Sequence, residues 1–350
     1  MPDVPSPELL VPLLRDSPDF SGVRTPAQWA AIQEVAVTRR MAAVVAYAIR
    51  EHASPEQRRW CDQTLAHAWR RHDECIRQLD YVLGLLSEGG IEVLCLKGPI
   101  LGRLHFPLPF LRRASVDIDL AVRDSDLERA ALVLTQNGYC QESTILEART
   151  TSHHLVMSID NRPRVELHTR LSHATRGVPV DELFHRAEHH PLPTGRVARI
   201  PGPADELLGL LLHLANDRFS SFFHLFEFRR IWRRADDKLR HTVVQEAIKH
   251  HFSAVLWLTE IAMRSVWNEP FLPTDAIVPR TWLQNRLNLT LLNELAGTVA
   301  GGDKRTLALR LRGRWLDLQT TDTVADAIKM LALIIRVALR ELPPPLTPAR

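Results

Sequence analysis

Apolar positions in the first 88 residues recur at helical spacing. The stretch TPAQWAAIQEVAVTRRMAAVVAYAIREH is rich in alanine, and the SPEQ that follows sets Ser54 as cap, Pro55 at the first helical position and Gln57 to close a capping box. In the helix so opened, Ile76, Leu79, Leu83 and Leu86 repeat at intervals of three and four, and Gly89-Gly90 end the pattern. That stripe predicts docking on another layer. From Gly89 to about Leu171 the period changes. IEVLCLKG, SVDIDLAV and RPRVELHTRL are short β-prone runs. Between the last two, DSDLERAALVLTQNGY reads as a helix capped by Asp124 or Ser125, repeating Leu127, Ala131 and Leu134 and stopping at Asn137-Gly138. After Pro201-Gly202-Pro203 the pattern is helical up to a last helix closed by Pro343-Pro344-Pro345. Strands interleaved with helices predict a mixed α/β core. The expectation is an α+β chain with an N-terminal helical region (1–88), an α/β core with a short mixed sheet (89–200) and a C-terminal helical domain (201–350).

Composition changes this picture little. A chain of 350 residues, 45% hydrophobic and 24% charged, is long enough for a well-buried core and has the make-up of an ordinary globular protein. The net charge of +3 calls for no nucleic-acid partner, so constitutive nucleic-acid binding is not expected. MPDVPSPELL lacks the basic and apolar regions of a secretory signal, and the most apolar late stretch, MLALIIRVAL, is short and interrupted by Arg336. These features predict a cytoplasmic protein without a membrane span. Cys61, Cys75, Cys95 and Cys140 show no metal-site spacing and read as reduced thiols with packing roles.

The chemistry centres on VDIDLAV, residues 116–122. Side chains alternate along a strand, so Asp117 and Asp119 share one face while Val116, Ile118 and Leu120 take the other. In RVELHTR the same alternation sends Val165 and Leu167 inward and leaves Glu166 and His168 together. If the two strands are neighbours, three carboxylates converge. Like charges at that range raise one another's pKa, and hard oxygen donors in this number suit Mg²⁺ or Mn²⁺. The repulsion predicts that Asp119→Asn leaves the metal-free protein at least as stable as before. A solvated polar sheet face accounts for the alternation as well. The second D-x-D, Asp124 and Asp126, reads as helix capping.

The remaining polar clusters have bland readings. His185 and His189, His153-His154 and His250-His251 read as solvated histidine patches without carboxylate or cysteine at ligand spacing. His213 lies among leucines, as a hydrogen-bonded core histidine does. Arg229, Arg230, Arg233 and Arg234 form a basic helical run whose default is a solvated face, with contact to RNA or an acidic acceptor as the other reading.

Leu96-Lys97-Gly98, Arg113, Asp117 to Leu120, Gly138-Tyr139 and Glu166-Leu167-His168 stand in an order that resembles the uncharacterised bacterial nucleotidyltransferase family within the DNA polymerase β superfamily. The likeness extends to the long helix before Lys97 and to LLLHLAN with His213, covering about residues 25 to 265. It implies a polymerase β-like nucleotidyltransferase core. It also implies that Asp117, Asp119 and Glu166 are catalytic and hold a two-metal Mg²⁺ or Mn²⁺ site, that Lys97, Gly98 and Arg113 bind the nucleotide, and that His168 and His213 are second-tier site residues. The implied reaction moves an NMP from an NTP to the hydroxyl or phosphate of a small-molecule, peptide or RNA acceptor and releases pyrophosphate. Two departures are visible: Lys97-Gly98 stands where the superfamily commonly has Gly-Ser, and Thr169 stands where an aromatic often follows the Glu-Leu-His triplet. A catalytically silent nucleotide-binding module and a toxin-like enzyme directed at RNA or tRNA ends are the alternatives.

Overall fold

A computed structural model describes residues 7–15, 18–23, 25–113, 117–150, 152, 154–172, 178–279, 317–318 and 320–340. Two short helices, α1 (Pro26–Thr38) and α2 (Ala42–Ile49), lead into the long α3 (Pro55–Glu88). The Ser54–Gln57 capping box is present in both directions, and the helix gives way at Gly89 as the sequence predicts. β1 (Leu94–Cys95), α4 (Pro99–His105), β2 (Asp117–Ala121), α5 (Leu127–Gln136), β3 (Cys140–Gln141), α6 (Ile145–Thr150), β4 (His154–Ser158) and β5 (Arg164–His168) follow. Then come α7 (Val180–His185), a hairpin of β6 (Glu188–Pro191) and β7 (Val197–Ile200), and helices α8 (Pro203–Asn216), α9 (Phe222–Trp232), α10 (Asp237–Lys249) and α11 (Ser253–Trp267). The last described helix is α12 (Val324–Arg340). Val116 and Pro343 to Pro345 lie outside the described residues.

The five-stranded sheet has the order β1-β2-β5-β4-β3, parallel only between β2 and β5. The α+β expectation with a short mixed sheet therefore holds. The sheet separates two environments. On one face Ile118, Leu120, Val165, Leu167, Leu155 and Met157 pack with Leu79, Val82, Leu83 and Leu86 of α3 and Leu127, Ala131 and Leu134 of α5. This is where the stripe read from the sequence docks. Tyr139 is buried in the same cluster, and its hydroxyl accepts a hydrogen bond from the buried Gln78. A second and larger cluster joins α1 and α2 to α8 through α11, so helices from both ends of the chain share one core. No helix among the described residues is long and apolar enough to cross a membrane.

Buried charges tie the two bodies together. Arg112 donates from Nε to Glu227 at 2.6 Å, and Glu227 is fully buried in α9. The turn that carries Arg112 is itself pressed onto α4, since a Cβ on Gly102 would stand 2.3 Å from the Pro109 carbonyl oxygen. Arg230 and Arg234 donate to the carbonyl of His105 at 2.8 and 2.6 Å, closing the end of α4. Arg229 is buried, paired with Glu269 and stacked on the Trp267 ring. The solvated-face reading is thus corrected for Arg229, which is buried, and for Arg230, which is half-buried, and it holds for the exposed Arg233 and Arg234; Arg233 lies 3.3 Å from Glu269.

Two other expectations change. Asp126 makes no side-chain cap at α5; its carboxylate accepts from Arg129, and Asp124 accepts from Arg149. Cys61, Cys75 and Cys95 are buried thiols, but Cys140 is exposed on β3.

The Arg112–Glu227 pair gives the first test. Glu227→Ala leaves a guanidinium buried without its carboxylate, and a loss of about 3–5 kcal/mol in urea unfolding is expected. Replacing both partners by apolar residues should cost clearly less than this single change. An equal cost would mean that the two act through packing alone.

Candidate active site

The site is built by the register of two strands. β2 and β5 run parallel with Asp119 opposite Glu166 and Asp117 opposite Arg164. The condition for three carboxylates to converge is met, because β2 and β5 are neighbours. β4 adds His154, whose register partner is His168. The opposite wall comes from the end of α8, the turn after it and the start of α9, with His213, Asn216, Asp217, Phe223 and His224. Lys97, Arg112 and Arg113 also line this cavity of about 320 Å³, together with Asp117, Asp119, Glu166 and His168. All the predicted site residues except Gly98 line this one space. Gly98 stands beside it as the N-cap of α4, at φ 70° and ψ −139°, a backbone state that only glycine adopts without strain.

The three carboxylates are not equivalent. Lys97 Nζ lies 3.5 Å from Asp119 Oδ1, and His168 Nε2 reaches the same oxygen at 3.1 Å and Glu166 Oε2 at 3.4 Å. Burial works to raise the Asp119 pKa, but the charge of Lys97 and the bond from His168 hold it well below the ordinary value. Glu166 is likewise pushed up by burial and brought below its ordinary value by His168. His168 is lifted in return: burial disfavours its proton, and the bonds to Asp119 and Glu166 outweigh burial. Asp117 makes no ion pair among the described residues. Burial first, then the charges of Glu166 and Asp119, push its pKa up to about 6.

This distribution corrects the expectation for Asp119. The repulsion foreseen from the sequence falls on Asp117, while Asp119 is compensated by Lys97 and His168 in the metal-free protein. The carboxylates are hard oxygen donors of the kind a divalent cation takes, but the ligand atoms that gather within 4.8 Å here are those of His154, Glu166 and His168 rather than the three predicted carboxylates. Three oxygen donors face one cavity, and the one carrying the repulsion stands where a positive charge would relieve it.

Sequence reasoning missed several neighbours. His154, read as part of a solvated patch, is half-buried beside Glu166 at 3.8 Å, and burial with the charge of His168 pulls its pKa down to about 4. Asp217 accepts from His224 Nδ1 at 2.6 Å and lies 3.6 Å from His213 Nε2. The turn presenting it holds Arg218 and Phe219 at φ 53°, a strained state for non-glycine residues. A bidentate pair from Arg218 to Asp317 and the burial of Phe219 hold that turn. His213 faces the cavity rather than the leucines of α8; burial, then Lys97 and His224, keep it neutral. Arg113 is also perturbed, its pKa lowered to about 10 by burial and by Arg40 and Arg112.

Ligand-capable atoms of His154, Glu166 and His168 lie within 4.8 Å of one another, as do those of His213, Asp217 and His224, and of Glu182, Glu246 and His250 outside the cavity. His185 ends α7 and His189 lies on β6, so those two do not share a helix face.

Carboxylates on the polar face of a mixed sheet, with a lysine at their edge and glycine in the adjoining turn, suit the transfer of phosphate-bearing groups. The family comparison gives the same answer more specifically: the model of a family described as uncharacterised nucleotidyltransferase matches residues 25–268, and the chain belongs to that family. The match ends where the sequence likeness ends, before the C-terminal segment. No curated protein matches the chain.

The unequal carboxylates separate two substitutions that charge counting would treat alike. A carboxylate whose folded pKa is raised withdraws stability as pH rises from its unfolded value of about 4 through 6. Asp117→Asn should therefore melt above wild type at pH 7.5 in EDTA, by about 1 kcal/mol, and level with it at pH 4. Asp119 is held low, so its contribution is present above pH 4. Asp119→Asn should lose roughly 2 kcal/mol at pH 7.5 in EDTA. Melting curves with the order of the two variants reversed would refute the assignment of the repulsion to Asp117.

Proposed function

We propose that this chain transfers a nucleoside monophosphate from an NTP to an acceptor hydroxyl or phosphate, releasing pyrophosphate, with Mg²⁺ or Mn²⁺ held by Asp117, Asp119 and Glu166. The observation that carries the reading is the parallel register setting Asp119 against Glu166 with Asp117 on the same face. Family membership supports an NTP as substrate. Bound divalent metal would supply charge neutralisation of the triphosphate and a lowered pKa for the attacking group. The protein's own groups do the positioning. Lys97 and Arg113 offer cationic donors to the phosphates from the cavity wall. At Gly98 the missing side chain lets the backbone approach them. Glu166 orients the acceptor, and His168 and His213 support the carboxylates and the far wall.

One observation favours a second reading. Lys97 and His168 already neutralise Asp119 and much of Glu166. A protein that binds nucleotide without transferring it would keep such internal counter-charges. Release of pyrophosphate from labelled NTP separates the two.

The direct test uses each labelled NTP with Mn²⁺ and a cell extract as acceptor source. Labelled product is expected with wild type, and Asp119→Asn should reduce it by at least a hundredfold while remaining folded at 20 °C. Undiminished labelling by this variant defeats the assignment. Lys97→Ala should weaken NTP binding more than NMP binding, because the lost partner serves the outer phosphates; equal losses would place Lys97 elsewhere.

Proton linkage offers an independent check. Asp117 must be ionised to hold a cation, and His168 keeps its extra proton only while Asp119 and Glu166 accept from it. Mn²⁺ affinity measured by calorimetry should rise at least fivefold from pH 5.5 to 7.5. A flat profile across that range would place the ion away from these groups.

A further inference from the structure

A second cavity, of about 840 Å³, opens from the other side of Asp117. Its walls are Arg71, Arg77 and Tyr81 on α3 and Arg162 and Arg164 around the start of β5. Asp117 belongs to both cavities. Among the described residues it alone lines both, so the two spaces meet at this carboxylate.

The charge of this second space is distinct. Four arginines face it against Glu74 and Asp117. Arg71 pairs with Glu74 at 3.1 Å within α3, Arg77 pairs with Asp73, and Arg164 lies 3.5 Å from Glu142. These are solvent-facing pairs, worth little and readily exchanged for a better anion. Arg162 makes no ion pair among the described residues and lies over the exposed Tyr81 ring at 5.5 Å. Guanidinium groups in this number, beside an aromatic face, match phosphate oxygens through bidentate donation.

Position links the cavity to the reaction. Arg164 and Glu166 lie on the same face of β5, two residues apart, and Arg164 is the register partner of Asp117. A phosphate on an acceptor held at Glu166 would meet Arg164 two residues along the same face of that strand. We infer that the arginine-walled cavity is the acceptor subsite and that the acceptor carries a phosphate close to the atom that is modified. This rests on the nucleotidyltransferase reading above. Phosphate on a small metabolite and phosphodiester at an oligonucleotide end share this chemistry.

The test compares wild type with Arg71→Ala/Arg162→Ala, since neither side chain lines the cavity of Asp119 and Glu166 and neither is buried. Three ligands are titrated: ribose 5-phosphate, a labelled triribonucleotide with a free 3′ hydroxyl, and NTP with Mn²⁺. One of the two phosphate probes is expected to bind wild type, at least tenfold more tightly than the variant, while the NTP affinity stays the same. The probe that binds identifies the source. Arg71→Lys/Arg162→Lys should recover part of the affinity. The inference is overturned if neither probe binds wild type, if both bind the variant equally well, or if the NTP affinity falls tenfold instead. Failure of the nucleotidyltransferase reading would look different: Asp119→Asn would leave transfer intact whatever the arginine variant does to the probes.

Discussion

The parallel pairing of β2 with β5 is the constraint on which the rest depends. It places acidic residues opposite one another on one face and fully apolar residues on the other. The apolar face fixes the register, because a slip of β2 by one residue against β5 would turn Ile118 and Leu120 into the cavity and carry Asp117 and Asp119 into the core. The cost of assembling three carboxylates is therefore borne by core packing on the far side of the sheet. What remains is partitioned by two cations, and Lys97 and His168 are both placed to favour Asp119.

Much of this could be read in the chain because it is local. Period-two alternation gave the faces of Asp117, Asp119, Glu166 and His168, and the capping box and glycine pair gave both ends of α3. Gly98 came from the resemblance alone, through Leu96-Lys97-Gly98. The partners were not legible. His154 opens a five-residue strand whose apolar part is only Leu155 to Met157, too short to mark a strand by period, and its meeting with Glu166 depends on β4 pairing back onto β5. Asp217 and His224 reach the cavity through the packing of α8 and α9 across the sheet, a contact that no short window of sequence contains. The β6–β7 hairpin was not legible either, because its first strand, Glu188–Pro191, is polar and ends in proline.

The arginines of α9 show how context overrides pattern. A run of four basic residues on one helix reads as solvated, yet Arg229 is held between Glu269 and Trp267, and Arg230 and Arg234 close the end of α4. Guanidinium can serve this way because its planar fork satisfies carbonyl and carboxylate acceptors while its face stacks on an aromatic ring. These contacts connect the helix that follows Gly98 to the body that carries Asp217. Both walls of the cavity thus hang from the same clamp, together with the buried Arg112–Glu227 pair.

A division of labour follows from the unequal carboxylates. Asp119 is ionised and held in place before any ligand arrives, so it acts as a fixed anchor. Asp117, with its pKa near 6 and no ion pair among the described residues, is the group whose charge state answers to whatever enters. It also stands where the two cavities meet. On the proposed reading, a cation beside Asp117 would relieve the repulsion from Glu166 and Asp119. A phosphate entering either space would then meet a neutralised carboxylate in place of a charged one, because Asp117 lines both.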